Sequence, residues 1–104
     1  MKIDKPEGAC PSHATRFERI DTAGGPVVLC NPTRQHVRQW RSMAMKADGD
    51  MGQAYETLFL ATWCGDPQAA QALLNDWPGV CTSPDVIGAM NRLAGITNEE
   101  AGKS

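Results

Sequence analysis

The sequence predicts a mainly α fold, a small four-helix bundle preceded by a short N-terminal β-hairpin. Three observations predict it. Asn31-Pro32, Asp66-Pro67 and Ser83-Pro84 each set a capping side chain directly before a proline. This is the N-cap and N1 pairing, in which the side-chain oxygen accepts from orphan backbone N–H groups and proline gives up a donor that has no partner there. Tyr55 to Cys64 is the densest apolar run of the chain and holds a single charge, Glu56. Lastly, the β-prone runs Phe17 to Ile20 and Val27 to Leu29 flank Asp-Thr-Ala-Gly-Gly-Pro, a cluster of turn formers.

Residues 1–15 carry Pro6, Gly8 and Pro11 and no apolar periodicity, which reads as a flexible N-terminal arm. The two β-prone runs form the hairpin, which is marginal alone and has to lean on helices. The first helix is expected from Pro32 to about Ala47, with Val37, Trp40, Ala44 and Ala47 as its inward stripe and Arg34, Arg38 and Arg41 together on another face. Asp48-Gly49-Asp50 ends it. The central helix follows, with Met51, Ala54, Tyr55 and Leu58 on one face and Phe59, Leu60, Trp63 and Cys64 on much of the rest. A helix apolar nearly all round is covered on several sides, and each fully buried Leu, Phe or Trp contributes roughly 1.5–3 kcal/mol. A short third helix, Pro67 to Leu74, directs Ala70, Leu73 and Leu74 inward. Trp77, in the turn after it, is expected to plug the end of the core. The last helix, Pro84 to Leu93, places Val86, Ile87, Met90 and Leu93 at helical spacing, and Gly95 stops it. Residues 16–96 are thus one globular domain, and residues 97–104 are a polar tail.

The 104 residues suffice for one core. A net charge of −2 and a sequence pI near 5.6 argue against a general nucleic-acid binder. The N-terminus has a charge every second or third residue and no apolar leader segment, and no run approaches the roughly 18 apolar residues of a membrane span. A soluble, cytoplasmic protein with reduced thiols is the expectation.

Four features invite chemistry. Trp63-Cys64-Gly65 matches part of a thioredoxin-like redox motif, but the second cysteine is absent, so Cys64 reads as a structural thiol. Cys10, His13, Cys30 and His36 are zinc-competent types with zinc-compatible spacing after Cys30. Against zinc, Cys10 and His13 fall in the arm and His36 has to point outward from the first helix. No metal, no disulfide and no cofactor are expected. Neither histidine finds the base, orienter and oxyanion donors that nucleophilic catalysis needs, so no enzyme is expected and no catalytic residue is assigned. The Arg34/Arg38/Arg41 face is a solvated surface or a dock for an acidic protein, with nucleic acid the weaker alternative.

The layout of Val27 to Thr33, Val-Val-Leu-Cys-Asn-Pro-Thr, opening a polar helix, then Tyr55 to Cys64, then Ser83 to Gly95, resembles the tail assembly chaperones of long-tailed bacteriophages over residues 17–96. A basic residue is common in that family where Cys30 stands. The resemblance implies a non-enzymatic protein of the host cytoplasm. Its partners would be the tape-measure protein, kept soluble until the tail tube polymerises around it, and the tail-tube protein. A long helical chain exposes apolar stripes before assembly, and helix-in-groove binding would cover them. The candidate groove residues are Trp40, Met43, Met45, Trp63, Trp77 and Met90, with methionines suited to an adaptable surface. The resemblance also implies a longer form made by a ribosomal slip, for which Ala101-Gly102-Lys103 stands at the fitting place. The rival reading is a small helical regulator that binds nucleic acid or an acidic protein through Arg34, Arg38 and Arg41.

Overall fold

The computed structural model describes residues 2–6, 10–46 and 51–95. The end of the first helix at Ala47, the Asp48-Gly49-Asp50 loop, the tail 97–104 and the slip position Ala101-Gly102-Lys103 lie outside the described residues.

Strands β1 (Lys2–Ile3), β2 (Phe17–Thr22) and β3 (Gly25–Cys30) precede helices α1 (Arg34–Lys46), α2 (Met51–Thr62), α3 (Pro67–Asp76) and α4 (Pro84–Leu93), with a 3-10 turn at Val80–Thr82. The strands form one antiparallel sheet in the order β1-β2-β3. The expectation of a four-helix bundle with a hairpin in front of it is therefore incorrect. The chain is a small α+β fold whose three-stranded sheet is a wall of the core. The error has a physical source. Lys2 and Ile3 pair with Glu18 and Phe17, and a strand of two residues leaves no alternation in a sequence. The segment expected to be a flexible arm thus contributes a strand.

Register explains which side of the sheet is buried. Glu18 pairs with Leu29 and Ile20 with Val27, so these four share one face, and all four are buried. Phe17 and Cys30 pair on the opposite face and are buried as well. The turn needs Gly25, whose φ is +110°, a region that favours glycine. Leu29 and Trp63 form a β-bridge and the Cys64 N–H donates to the Val28 carbonyl at 3.0 Å. The chain leaving α2 thereby covers the outer edge of β3, an edge otherwise open to another strand.

Helix α2 occupies the centre. It touches α1, α4, β3 and the 3-10 turn, and Ala54, Leu58, Phe59 and Thr62 are buried on it. The Thr62 hydroxyl is satisfied within the helix, donating to the carbonyls of Leu58 at 3.0 Å and Phe59 at 3.1 Å. Gly65, at φ +127°, turns the chain from α2 into α3.

Only one of the three Asx/Ser-Pro pairs caps a helix through its side chain. Asp66 accepts from the Gln68 N–H at 2.9 Å with Pro67 at the first helical position. Ser83 instead donates to the Val80 carbonyl at 2.8 Å. Asn31 accepts from the backbone of Thr15 at 2.8 Å and Arg16 at 2.9 Å, tying the approach to β2 to the exit from β3. The cap of α1 falls to Thr33. Its hydroxyl accepts from the His36 N–H at 3.1 Å, while His36 Nδ1 accepts from the Thr33 N–H at 3.3 Å. This is a reciprocal capping box in which an imidazole takes the place of the usual carboxylate or amide.

Candidate protein-binding surface

Helix α1 differs from the other helices in having no buried residue. Its half-buried side chains are His36, Val37, Trp40, Met43 and Ala44, which lie three and four residues apart and so make one stripe. That stripe rests on α2. The Trp40 and Tyr55 rings are 5.8 Å apart at an interplanar angle of 49°, within the range of favourable aromatic pairs. Trp40 Nε1 is buried without a hydrogen-bond partner. Outside the seam α1 is cationic: Arg34, Arg38, Arg41 and Lys46 are all exposed and the helix carries no acid. Met45 stands 89% exposed.

The other candidates are dispersed. Met90 is fully buried in the core beside Leu58, Phe59 and Leu93, so it lines no groove; its methionine character serves packing. Trp63 sits at the α2–α3 corner, 5.5 Å from the Phe59 ring, and its indole N–H donates to the Asp66 carbonyl at 3.0 Å. With Cys10, Leu60, Pro67 and Ala70 it lines a shallow cleft of about 430 Å³. Trp77 does not plug the core; it is 46% exposed and lines a different cleft, of about 350 Å³, between the β2–β3 turn and the start of α4. One side of Trp77 is held by the hairpin, since a Cβ on Gly24 would come within 2.6 Å of its Cδ1. Met45 therefore shares the outer face of α1 with the three arginines, Trp40 and Met43 lie in the seam against α2, and Trp63 and Trp77 each belong to another surface.

The cysteines and histidines also regroup. His13 and His36 come together, with ring centroids 5.6 Å apart. His13 Nε2 meets the Asn31 carbonyl at 2.9 Å, and His36 is engaged as the α1 cap. Desolvation, with the nearby His13, lowers the His36 pKa. The thiol that joins Cys10 and Cys30 is Cys64 rather than either imidazole. Burial first, then the adjoining thiols of Cys10 and Cys30, push Cys64 well above the ordinary thiol range. Burial also raises Cys30 and Cys81. A thiol held protonated is a poor nucleophile, and the direction is opposite to the lowered pKa of thioredoxin-type cysteines. Among the described residues no group of three or more His, Cys, Asp or Glu is set to hold a metal ion.

Sequence reasoning missed one polar anchor. Glu18, buried on β2, receives both Nε and Nη2 of Arg92 on α4, with Nη2 to Oε1 at 2.7 Å and Nε to Oε1 and Oε2 at 3.1 Å. The fork joins residues 74 apart, and no short-range pattern marks such a pair. Arg16 adds a second tie, donating to the Leu93 carbonyl at the end of α4 at 2.6 Å.

Among the described residues no helix is long and apolar enough to cross a membrane. No protein-family model, no curated protein and no solved structure matches the chain.

Proposed function

We propose that this chain is a non-enzymatic binding protein that receives a partner helix on α1, and that the partner is the tape-measure protein of a long-tailed bacteriophage. The chain would then act as a tail assembly chaperone. The observation that carries the reading is the composition of α1. Three arginines at positions 34, 38 and 41 repel one another along one helix face, and none has an ion pair or hydrogen bond to another described residue. Among the described residues that face meets no acid, and Met45 adds exposed apolar surface beside it. Arginine and methionine are residues that interfaces favour. A tape-measure chain with apolar stripes flanked by carboxylates is the complement. The family resemblance over Val27 to Thr33 and Ser83 to Gly95 supplies the identity of that partner.

The test is co-expression with the tape-measure protein encoded in the same genome. The expected result is a soluble complex that survives size exclusion, lost when Arg34, Arg38 and Arg41 are replaced by Glu. A tape-measure protein that stays insoluble with and without this chain contradicts the reading. Tight, salt-sensitive binding to double-stranded DNA, lost in the same variant, would instead identify the regulator.

A further inference from the structure

The cleft that holds Trp77 has a chemistry opposite to that of α1. Trp77, Pro78 and Val80 line it together with Asp21, Asp76 and Asp85, and no lysine or arginine contributes. Trp77 and, on α1, Met45 are the two exposed large apolar side chains among the described residues. Asp21 reaches Arg19 at 3.7 Å, a pair whose side chains are 55% and 85% exposed and which is weak for that reason. The side chains of Asp76 and Asp85 make no hydrogen bond or close ion pair with another described residue, and Asp85 feels only the longer-range charge of Arg92. An indole face with carboxylates around it selects a flat cation. Guanidinium stacks on the ring and still directs its donor fork to the carboxylates, which an ammonium does less well. The volume of about 350 Å³ admits such a side chain.

Arginines of that kind are present on the same molecule, on α1, which packs against α2 and lines no part of the cleft. We infer that the arginine face of α1 on one copy of this chain docks into the Trp77 cleft of a second copy, so that the protein self-associates through a cation–aromatic and carboxylate contact. The two surfaces are unlike. The contact is therefore closed when two copies exchange it reciprocally and open-ended when they do not. The inference concerns the chain alone and stands independently of the tape-measure partner.

Sedimentation velocity on the full chain tests it, over a wide concentration range at low and at high salt. The expected result is association at low salt whose dissociation constant rises about tenfold or more at high salt, as exposed charges become screened. Asp21→Lys/Asp76→Lys and Arg34→Glu/Arg38→Glu/Arg41→Glu are each expected to be monomeric, and their equimolar mixture is expected to associate again. If the charge reversal disturbs α1, the neutral set Arg34→Gln/Arg38→Gln/Arg41→Gln is expected to weaken association about tenfold in its place. A wild-type chain that is monomeric at every concentration in low salt overturns the inference. So does association that both variant sets leave unchanged, or a mixture of the reversed variants that stays monomeric.

Discussion

Helices α1 and α2 are neighbours of nearly equal length, thirteen and twelve residues, and they use their side chains in opposite ways. α2 buries Ala54, Leu58, Phe59 and Thr62 and is contacted from several sides. α1 buries none and packs mainly on α2. Helix stability in proteins comes chiefly from tertiary packing of an apolar face, so α2 is held by the whole core and α1 by one seam. Composition follows the same division: α2 has one charge and α1 has four, all positive. The proposal that α1 receives a partner rests on this contrast.

The division predicts a graded set of effects. Truncating the core side of the comparison comes first: Leu58→Ala or Phe59→Ala is expected to reduce stability by about 2–5 kcal/mol in urea unfolding. Val37→Ala or Met43→Ala on α1 is expected to reduce it by about 1 kcal/mol or less, because half-buried groups leave little cavity. Equal losses at the two helices would erase the distinction.

Next is the polar tie that holds the last helix to the sheet. Arg92→Ala takes a bidentate donor from a carboxylate that is only 8% exposed, and a loss of about 1–3 kcal/mol is expected. Because α1 is not in this network, the variant is expected to leave binding through Arg34, Arg38 and Arg41 intact once folded, a point that a pull-down at low temperature checks.

The smallest effects are those of pH, and they fall on different regions. Burial and His13 lower the His36 pKa below its usual 6.5. The unfolded chain therefore takes up that proton first, and the stability that His36 contributes is present above pH 6.5 and lost as pH falls through the folded value. Titrating thermal unfolding from pH 7 to pH 5 checks it, and His36→Gln should flatten that slope. The thiols act at the other end. With Cys30, Cys64 and Cys81 raised above the usual 9.0, stability is fully present below pH 9 and declines above it as the unfolded thiols ionise. In the native protein at pH 8 these three are expected to alkylate more slowly than after unfolding, which mass spectrometry resolves. Rapid alkylation of the half-buried Cys64 in the native state would contradict its raised pKa.

How much of this was legible in the sequence differs between regions for physical reasons. Helices with a repeating apolar pattern announce themselves, and Leu58, Phe59, Val86, Met90 and Leu93 are buried where periodicity places them. The hairpin of β2 and β3 is equally local in origin. β1 was not legible, since Lys2 and Ile3 gain their strand character only from pairing with Glu18 and Phe17. Ser83 does stand at the N-cap of α4 before Pro84, although its hydroxyl donates to the Val80 carbonyl and not toward the helix, whereas the cap expected at Asn31 failed. A side chain that can cap can also accept from a more distant backbone, as Asn31 does from Thr15 and Arg16. Of the candidate surface, the arginine face of α1 was readable from its spacing. That Met90 is consumed by the core while Trp77 is left half outside was not, because periodicity marks a face without saying what covers it.

The most direct test of the account is native-state hydrogen exchange on the full chain. If α2 belongs to the core and α1 is docked by one seam, α1 amides exchange by local opening, about tenfold or more faster than those of Leu58 and Phe59, which open only with the whole domain. Equal protection in the two helices, with both tracking global unfolding, would show that α1 is part of the cooperative core and would contradict the assignment of that helix to partner binding.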